Sequence, residues 1–258
     1  MRYNDTKKML DNVIEEILAR EPINPKDMTG YYGVISTPRS GSTMFGDKLY
    51  QTGLMGYPME WFNIRYLRAY KRVKGVQTLN FSHYLKDIAY RAASPNGIFG
   101  VNFHVDQYLD MQKRGIDFFK HFRFDKLYYV SRNDKFSQAY SLAKARATDV
   151  WSSNVIPDAE AADKIAAIKD SDILRELLRI TGWQEQYEKS LQAKVHRSYS
   201  YEDFSSITKG GDIFREILAD FKLQVPEDYK FMTAFKKQSD TADKERIETL
   251  RQHLLGPV

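Results

Sequence analysis

The segment Tyr31-Tyr32-Gly33-Val34-Ile35-Ser36-Thr37-Pro38-Arg39-Ser40-Gly41-Ser42-Thr43 limits what this chain can fold into more than any other. An apolar run suited to a buried strand breaks into a Pro/Gly/Ser loop carrying one arginine. From Met44 to Thr52, Phe45 and Leu49 then recur at helical spacing before Gly53. At a strand-to-helix junction, backbone N–H groups of the turn and the unpaired donors of the first helical turn face one point, with the positive end of the helix dipole behind them. The segment therefore predicts an anion site, and Arg39 adds a full charge. It is not the Gly-x-x-x-x-Gly-Lys-Ser/Thr nucleotide loop, because Gly41 is followed by Ser42 and the residue five before it is Ser36. That departure disfavours a nucleoside triphosphate kinase.

Three further strands are expected. Ile98 to Val105 alternates, with Phe99, Val101, Phe103 and Val105 on one face and Asn102 and His104 on the other. Leu127 to Ser131 leads through Arg132-Asn133-Asp134 into a helix to about Val150, where Phe136, Ala139, Tyr140, Ala143 and Ala147 share a face and Ser141 lies among them. Val195 to Tyr201 precedes a helix around Asp212 to Phe221. A leading helix carries Met9, Leu10, Val13, Ile14, Ile17 and Leu18 and ends at Glu21-Pro22; it packs on the core or on another subunit. Other helices are expected around Tyr84 to Ala89, over Ala159 to Ile168 and Ser171 to Leu191, and, charged and exposed, over Thr241 to Leu255. Strands separated by helices predict an α/β fold with a mainly parallel sheet covered on both faces, and ligands at the carboxyl ends of the strands. Arg39 and Arg132 fall there, on different strands, and can converge on one ligand.

At 258 residues, with 42% hydrophobic and 28% charged residues, the chain reads as one soluble α/β domain. The absence of cysteine excludes disulfides and thiolate metal sites, and the five histidines show no paired ligand spacing. There is no Gly-x-Ser-x-Gly nucleophile elbow. The N-terminus lacks a signal-peptide pattern and no run approaches the ~20 apolar residues of a membrane span, so a cytoplasmic protein without stable membrane insertion is expected. The net charge of +5 suits an anionic ligand. Arg65 to Lys74, the most basic stretch, reads as a solvated amphipathic helix with Leu67 and Tyr70 inward rather than as a nucleic-acid surface.

Ser36 to Thr43, followed by Gly56-Tyr57-Pro58-Met59-Glu60-Trp61-Phe62, resembles the opening of the trehalose 2-sulfotransferase-like family of bacterial sulfotransferases. The resemblance implies a P-loop-NTPase-like three-layer sandwich over residues 1–258. Within it lie a helical extension (1–28), a 5′-phosphosulfate-binding strand-loop-helix (30–55), an acceptor-side segment (56–97), a 3′-phosphate-binding strand-helix (127–150) and a C-terminal helix (232–258). The implied co-substrate is 3′-phosphoadenosine-5′-phosphosulfate, with no metal and no nucleic acid. Thr37, Pro38, Arg39, Ser40, Gly41, Ser42 and Thr43 would hold its phosphosulfate, Arg132 and Ser141 its 3′-phosphate, and Tyr201 would approach it at a strand end. Glu60 matches the family's general base, and Trp61 and Phe62 are expected to desolvate it and raise its pKa. His104 is the rival or auxiliary group, since cytosolic sulfotransferases carry Lys-x-His where this chain has Asn102-Phe103-His104. With the lysine missing, charge on the bridging oxygen falls to Arg39. Gln238-Ser239-Asp240 is similar to a Gln-Ala-Asp of the family. The implied acceptor is a hydroxyl of a carbohydrate or glycolipid, and the implied assembly a homodimer. A P-loop-like small-molecule kinase and a catalytically degenerate nucleotide-binding protein stand as alternatives.

Overall fold

Strand β1, Gly30–Ser36, is apolar on both faces and so needs cover on both. In the computed structural model, which describes residues 3–151, 159–235 and 241–256, that cover is present. β1 lies inside a four-stranded sheet with β2 (Ile98–His104), β3 (Lys126–Ser131) and β4 (Arg197–Ser200), in the order β2-β1-β3-β4, every pairing parallel. The pleat sends Tyr32 and Val34 of β1, with Tyr128 and Val130 of β3, into one layer. Ile35, Leu127 and Tyr129 enter the other, together with Val101 and Phe103 of β2.

The helices are α1 (Tyr3–Ala19), α2 (Ser42–Tyr50), α3 (Ile64–Lys74), α4 (Phe81–Ala92), α5 (Val105–Lys113) and α6 (Phe118–His121). They continue with α7 (Lys135–Thr148), α8 (Ala161–Ala166), α9 (Asp170–Ser190), α10 (Tyr201–Phe204), α11 (Gly210–Asp220) and α12 (Thr241–Leu255). Phe45 and Leu49 of α2, with Phe214, Ile217 and Leu218 of α11, close the first layer. The second is wider: Leu10, Ile14 and Ile17 of α1 join Trp61, Phe62, Tyr70, Tyr84 and Phe118. α7, α9 and α12 share a third apolar cluster around Leu142, Ile173, Ile180 and Leu250. The mixed α/β architecture with a parallel sheet flanked by helices is the one expected, and the leading helix packs on the core, against α3 and α4. No helix among the described residues is long and apolar enough to cross a membrane.

Some boundaries differ from the sequence reading. β2 stops at His104, and Val105 opens α5 rather than extending the strand. Its side chain stays in the same apolar layer, which is why alternation carried the expectation one residue too far. α5 itself was not foreseen, although Val105, Tyr108 and Met111 are its buried positions at three-residue steps. β4 ends at Ser200, so Tyr201 is helical. The 56–97 segment holds two helices, of which α3 buries Tyr66, Leu67, Ala69 and Tyr70, the inward face expected of the basic stretch. Asn63 caps α3 by accepting from the Arg65 N–H, and Asp134 caps α7 by accepting from that of Ser137.

The register places the carboxyl ends of the strands along one edge. Ser36 is opposite both His104 and Val130, and Ser131 is opposite Ser200. Between β1 and β2 the fit is close. A Cβ on Gly100 would stand 2.3 Å from Cζ of Tyr32, whose hydroxyl is held by the Met55 carbonyl at 2.9 Å in the core. Gly100→Ala is therefore expected to destabilise the fold by about 2 kcal/mol or more, read as a lower midpoint in urea unfolding with an unchanged slope.

Candidate active site

The loop after β1 is built from backbone conformations that most residues avoid. Arg39 has φ 65° and Gly41 φ 89°. A Cβ on Gly41 would lie 2.5 Å from the Tyr201 ring, so the position needs glycine twice over. Ser40 N–H closes the turn on the Thr37 carbonyl at 3.3 Å, and α2 begins at Ser42 with Gly41 as its cap. Gln138 of α7, fully buried, donates its amide to the Thr37 hydroxyl and the Pro38 carbonyl, both at 2.8 Å. Ser40 Oγ is buried without a partner. Thr43 is exposed and faces a cavity described below.

Arg39 reaches from this loop to α7. Its Nε donates to Ser141 Oγ at 3.0 Å, and its Nη1 donates to the Trp151 carbonyl. Burial pulls its pKa down to about 10, the nearby Arg132 charge acts the same way, and Glu60 opposes them. Arg39 thus stays cationic at neutral pH. Ser141, expected beside Arg132 at a phosphate, thus also meets Arg39 of the loop. Arg132 lies over the Tyr201 ring, 5.1 Å from its centroid, with Nε buried and unpartnered. Glu202 accepts from the N–H groups of Asn133 and Asp134 at 3.0 and 3.3 Å and so fixes the turn that carries Arg132. Tyr201 stands between Gly41 and Arg132. Gln238-Ser239-Asp240 lies outside the described residues.

Glu60 sits in a turn clamped to the sheet. Asn102 N–H of β2 donates to the Met59 carbonyl at 2.9 Å, the Trp61 indole to the Tyr57 carbonyl at 2.9 Å, and the Tyr84 hydroxyl to the Trp61 carbonyl at 2.7 Å. Trp61 and Phe62 are fully buried anchors. Glu60 Oε2 accepts from Gln107 Nε2 at 2.6 Å and Asn63 Nδ2 at 2.9 Å. Burial does push the carboxyl up, as expected. The His104 charge and the Asn63 and Gln107 hydrogen bonds outweigh it, however, and the pKa ends below the ordinary carboxylate value rather than above it. His104 faces the start of α2: its Nε2 is 3.4 Å from Ser42 Oγ, and Gln107 Nε2 lies 3.4 Å from its Nδ1. Asp106, next along α5, is raised by burial, and its Oδ1 has no partner. A cavity of about 570 Å³ brings Glu60, His104 and Asp106 into one space with Pro38 and Thr43 of the loop.

The sequence from residue 31 to residue 253 matches the family model described as Stf0 sulphotransferase. The chain belongs to the Stf0 sulphotransferase family. No curated protein sequence matches it. Membership gives sulfuryl transfer as the reaction class and supports a transferase enzyme. The residues at the sheet edge fit an anionic sulfuryl donor. Ser40 Oγ and Arg132 Nε are buried polar groups lacking partners, and an oxyanion would supply them. Among the described residues no group of three or more His, Asp or Glu is arranged to hold a metal ion.

The candidate site of this sulphotransferase also contains residues that sequence reasoning passed over. Gln138, Asn63, Gln107 and Asp106 are polar residues on or beside helices whose faces look ordinary one at a time. Asn63 carried a readable cap signal, and Gln107 stands three residues beyond His104, whose N–H its Oε1 accepts at 3.3 Å. Nothing marked Gln138, because its role appears only when α7 meets the loop. Glu60 offers a test independent of turnover. A carboxylate with a depressed folded-state pKa adds stability above its unfolded pKa, and this is lost as pH falls through the folded value. The stability gap between wild type and Glu60→Gln is therefore expected to shrink on acidification, as followed by urea melts across pH.

Proposed function

We propose that this chain transfers a sulfuryl group from 3′-phosphoadenosine-5′-phosphosulfate to a hydroxyl of a carbohydrate or glycolipid, with Glu60 as the general base. The observation that carries the reading is that one cavity contains both the donor loop, through Pro38 and Thr43, and the Glu60–His104 pair. Backbone N–H groups of the loop, with Ser40 and Ser42, bind the phosphosulfate. Arg132, on its Tyr201 platform, and Ser141 bind the 3′-phosphate. Arg39 touches Ser141 from the loop side and so joins the two anion grips.

Glu60 accepts the proton of the acceptor hydroxyl as its oxygen bonds to sulfur and the sulfur–oxygen bond to the phosphate breaks. Arg39 offsets the charge that collects on the departing phosphate oxygen. His104, 3.4 Å from Ser42 Oγ, adds positive charge on the same side when protonated, where Asn102 offers none. By analogy with phosphoryl transfer, such a loose transition state asks for positioning and fixed charge more than for a strong base. A Glu60 held ionised by its neighbours is suited to that.

Adenosine 3′,5′-bisphosphate, the donor's product, is expected to raise the melting temperature, with a gain of about 2.7 kcal/mol at a hundredfold excess over Kd. Arg132→Ala should weaken that binding by about tenfold or more, as expected for a lost charge-assisted hydrogen bond. A shift with ATP and none with the bisphosphate would replace the donor and favour the kinase reading. In assays with labelled donor, Glu60→Gln should lower kcat by about a hundredfold or more while bisphosphate affinity stays put. Because Glu60 must be ionised, the acid limb of kcat/KM should lie below the usual carboxylate range. Full turnover in Glu60→Gln would remove it as the base.

A further inference from the structure

The cavity beside the donor loop has two kinds of wall. Where β2 meets α5 and in the turn before α3 it is polar, through Glu60, Asn63, His104, Asp106 and Gln107. Elsewhere it is lined by Met9 and Val13 of α1, Ile64 of α3, Trp151 and Phe235. These are not sealed core residues: Met9 is 38% and Trp151 36% exposed, and Val13, Ile64 and Phe235 are half-buried. The charged residues on that side already have partners in the protein. Arg146 Nε holds Glu176 at 3.1 Å, Asp110 holds Arg114 at 2.9 Å, and Asp149 accepts from the Trp151 indole at 2.7 Å and faces Arg65 at 3.9 Å. Asp106 Oδ1, at the polar end, is buried and has none.

A ligand with hydroxyls all round would press some of them against thioether and aliphatic carbon, at about 1–3 kcal/mol for each group left unpaired. A ligand with a polar head and an apolar tail would not. We propose that the acceptor is such an amphiphile: its reacting hydroxyl meets Glu60, a second polar group of the head is read by Asp106, and an alkyl or aryl tail lies on Met9, Val13, Ile64, Trp151 and Phe235. The assignment rests on the sulfuryl-transfer reading for the head. The tail contact does not depend on which donor fills the loop.

The test uses methyl, butyl and octyl β-D-glucosides below their micellar concentrations, titrated calorimetrically into the full chain. Affinity should rise with chain length, by roughly fourfold for each methylene that reaches the wall. In Met9→Gln/Val13→Asn, and separately in Phe235→Ser, the octyl advantage should fall by about tenfold while methyl glucoside binding is unchanged. Two variants on different elements guard against misfolding, and the melting temperature of each is recorded. Equal binding of the three glucosides, or an octyl advantage that survives in both variants, would overturn the proposal. Transfer from labelled donor separates the two readings. A chain-length slope with no glucoside sulfated supports the amphiphile site and counts against the donor; equal sulfation of methyl and octyl glucosides supports the donor and sinks the amphiphile.

Discussion

The buried amide of Gln138, donating at 2.8 Å to the Thr37 hydroxyl and the Pro38 carbonyl, ties the loop after β1 to α7. The two elements are about a hundred residues apart in sequence, and without this tie the turn would have little reason to keep its shape. A left-handed Arg39 costs about 1–2 kcal/mol against the ordinary conformation. Gln138 from one side and the Tyr201 ring against Gly41 from another over-determine the turn, so the strain is held before any ligand arrives. A loop already in its binding shape spends little free energy on ordering when an anion binds.

The same loop sets the electrostatics. Two arginines approach each other closely enough for Arg132 to depress Arg39, which burial has already made less comfortable as a cation. Glu60 is the carboxylate that counters this. The arrangement is therefore short of negative charge at rest, and a sulfated or phosphorylated ligand relieves it. At the Glu60 end of the cavity the logic runs the other way. The His104 charge and hydrogen bonds from Asn63 and Gln107 hold Glu60 ionised, while at Asp106 burial and the Glu60 charge outweigh what favours the anion and its carboxyl is raised. Two carboxyls that line one cavity are thus pushed in opposite directions by their surroundings.

How much of this was legible in the sequence follows from how local each signal is. The β1 loop declared itself because strand, Gly/Pro/Ser turn and helix are contiguous, and the Leu127 to Ser141 region did so for the same reason. The parallel sheet followed from strands spaced by helices. What escaped was set by contacts between distant segments: Gln138 reaching the loop, Gln107 reaching Glu60, and Arg39 reaching Ser141. The direction of the Glu60 shift was misjudged because adjacent Trp61 and Phe62 suggested a dry site, whereas the donors that settle it come from α5 and the start of α3. The end of β2 was blurred because Val105 satisfies strand alternation and helical burial alike.

In a sheet ordered β2-β1-β3-β4, the anion loop hangs from the inner strand β1, while Glu60, Asn63 and Ile64 come from the excursion that joins β1 to the outer strand β2, and Met9, His104, Asp106, Trp151 and Phe235 reach the same cavity from elsewhere in the chain. The loop end of the cavity is the work of one stretch of chain, and its far wall is assembled from several. Mutation can redraw the second without disturbing the first. A cavity divided in this way cannot be recast by exchanging residues 56–97 alone, because α1, α5 and the segments that carry Trp151 and Phe235 supply the rest of its lining.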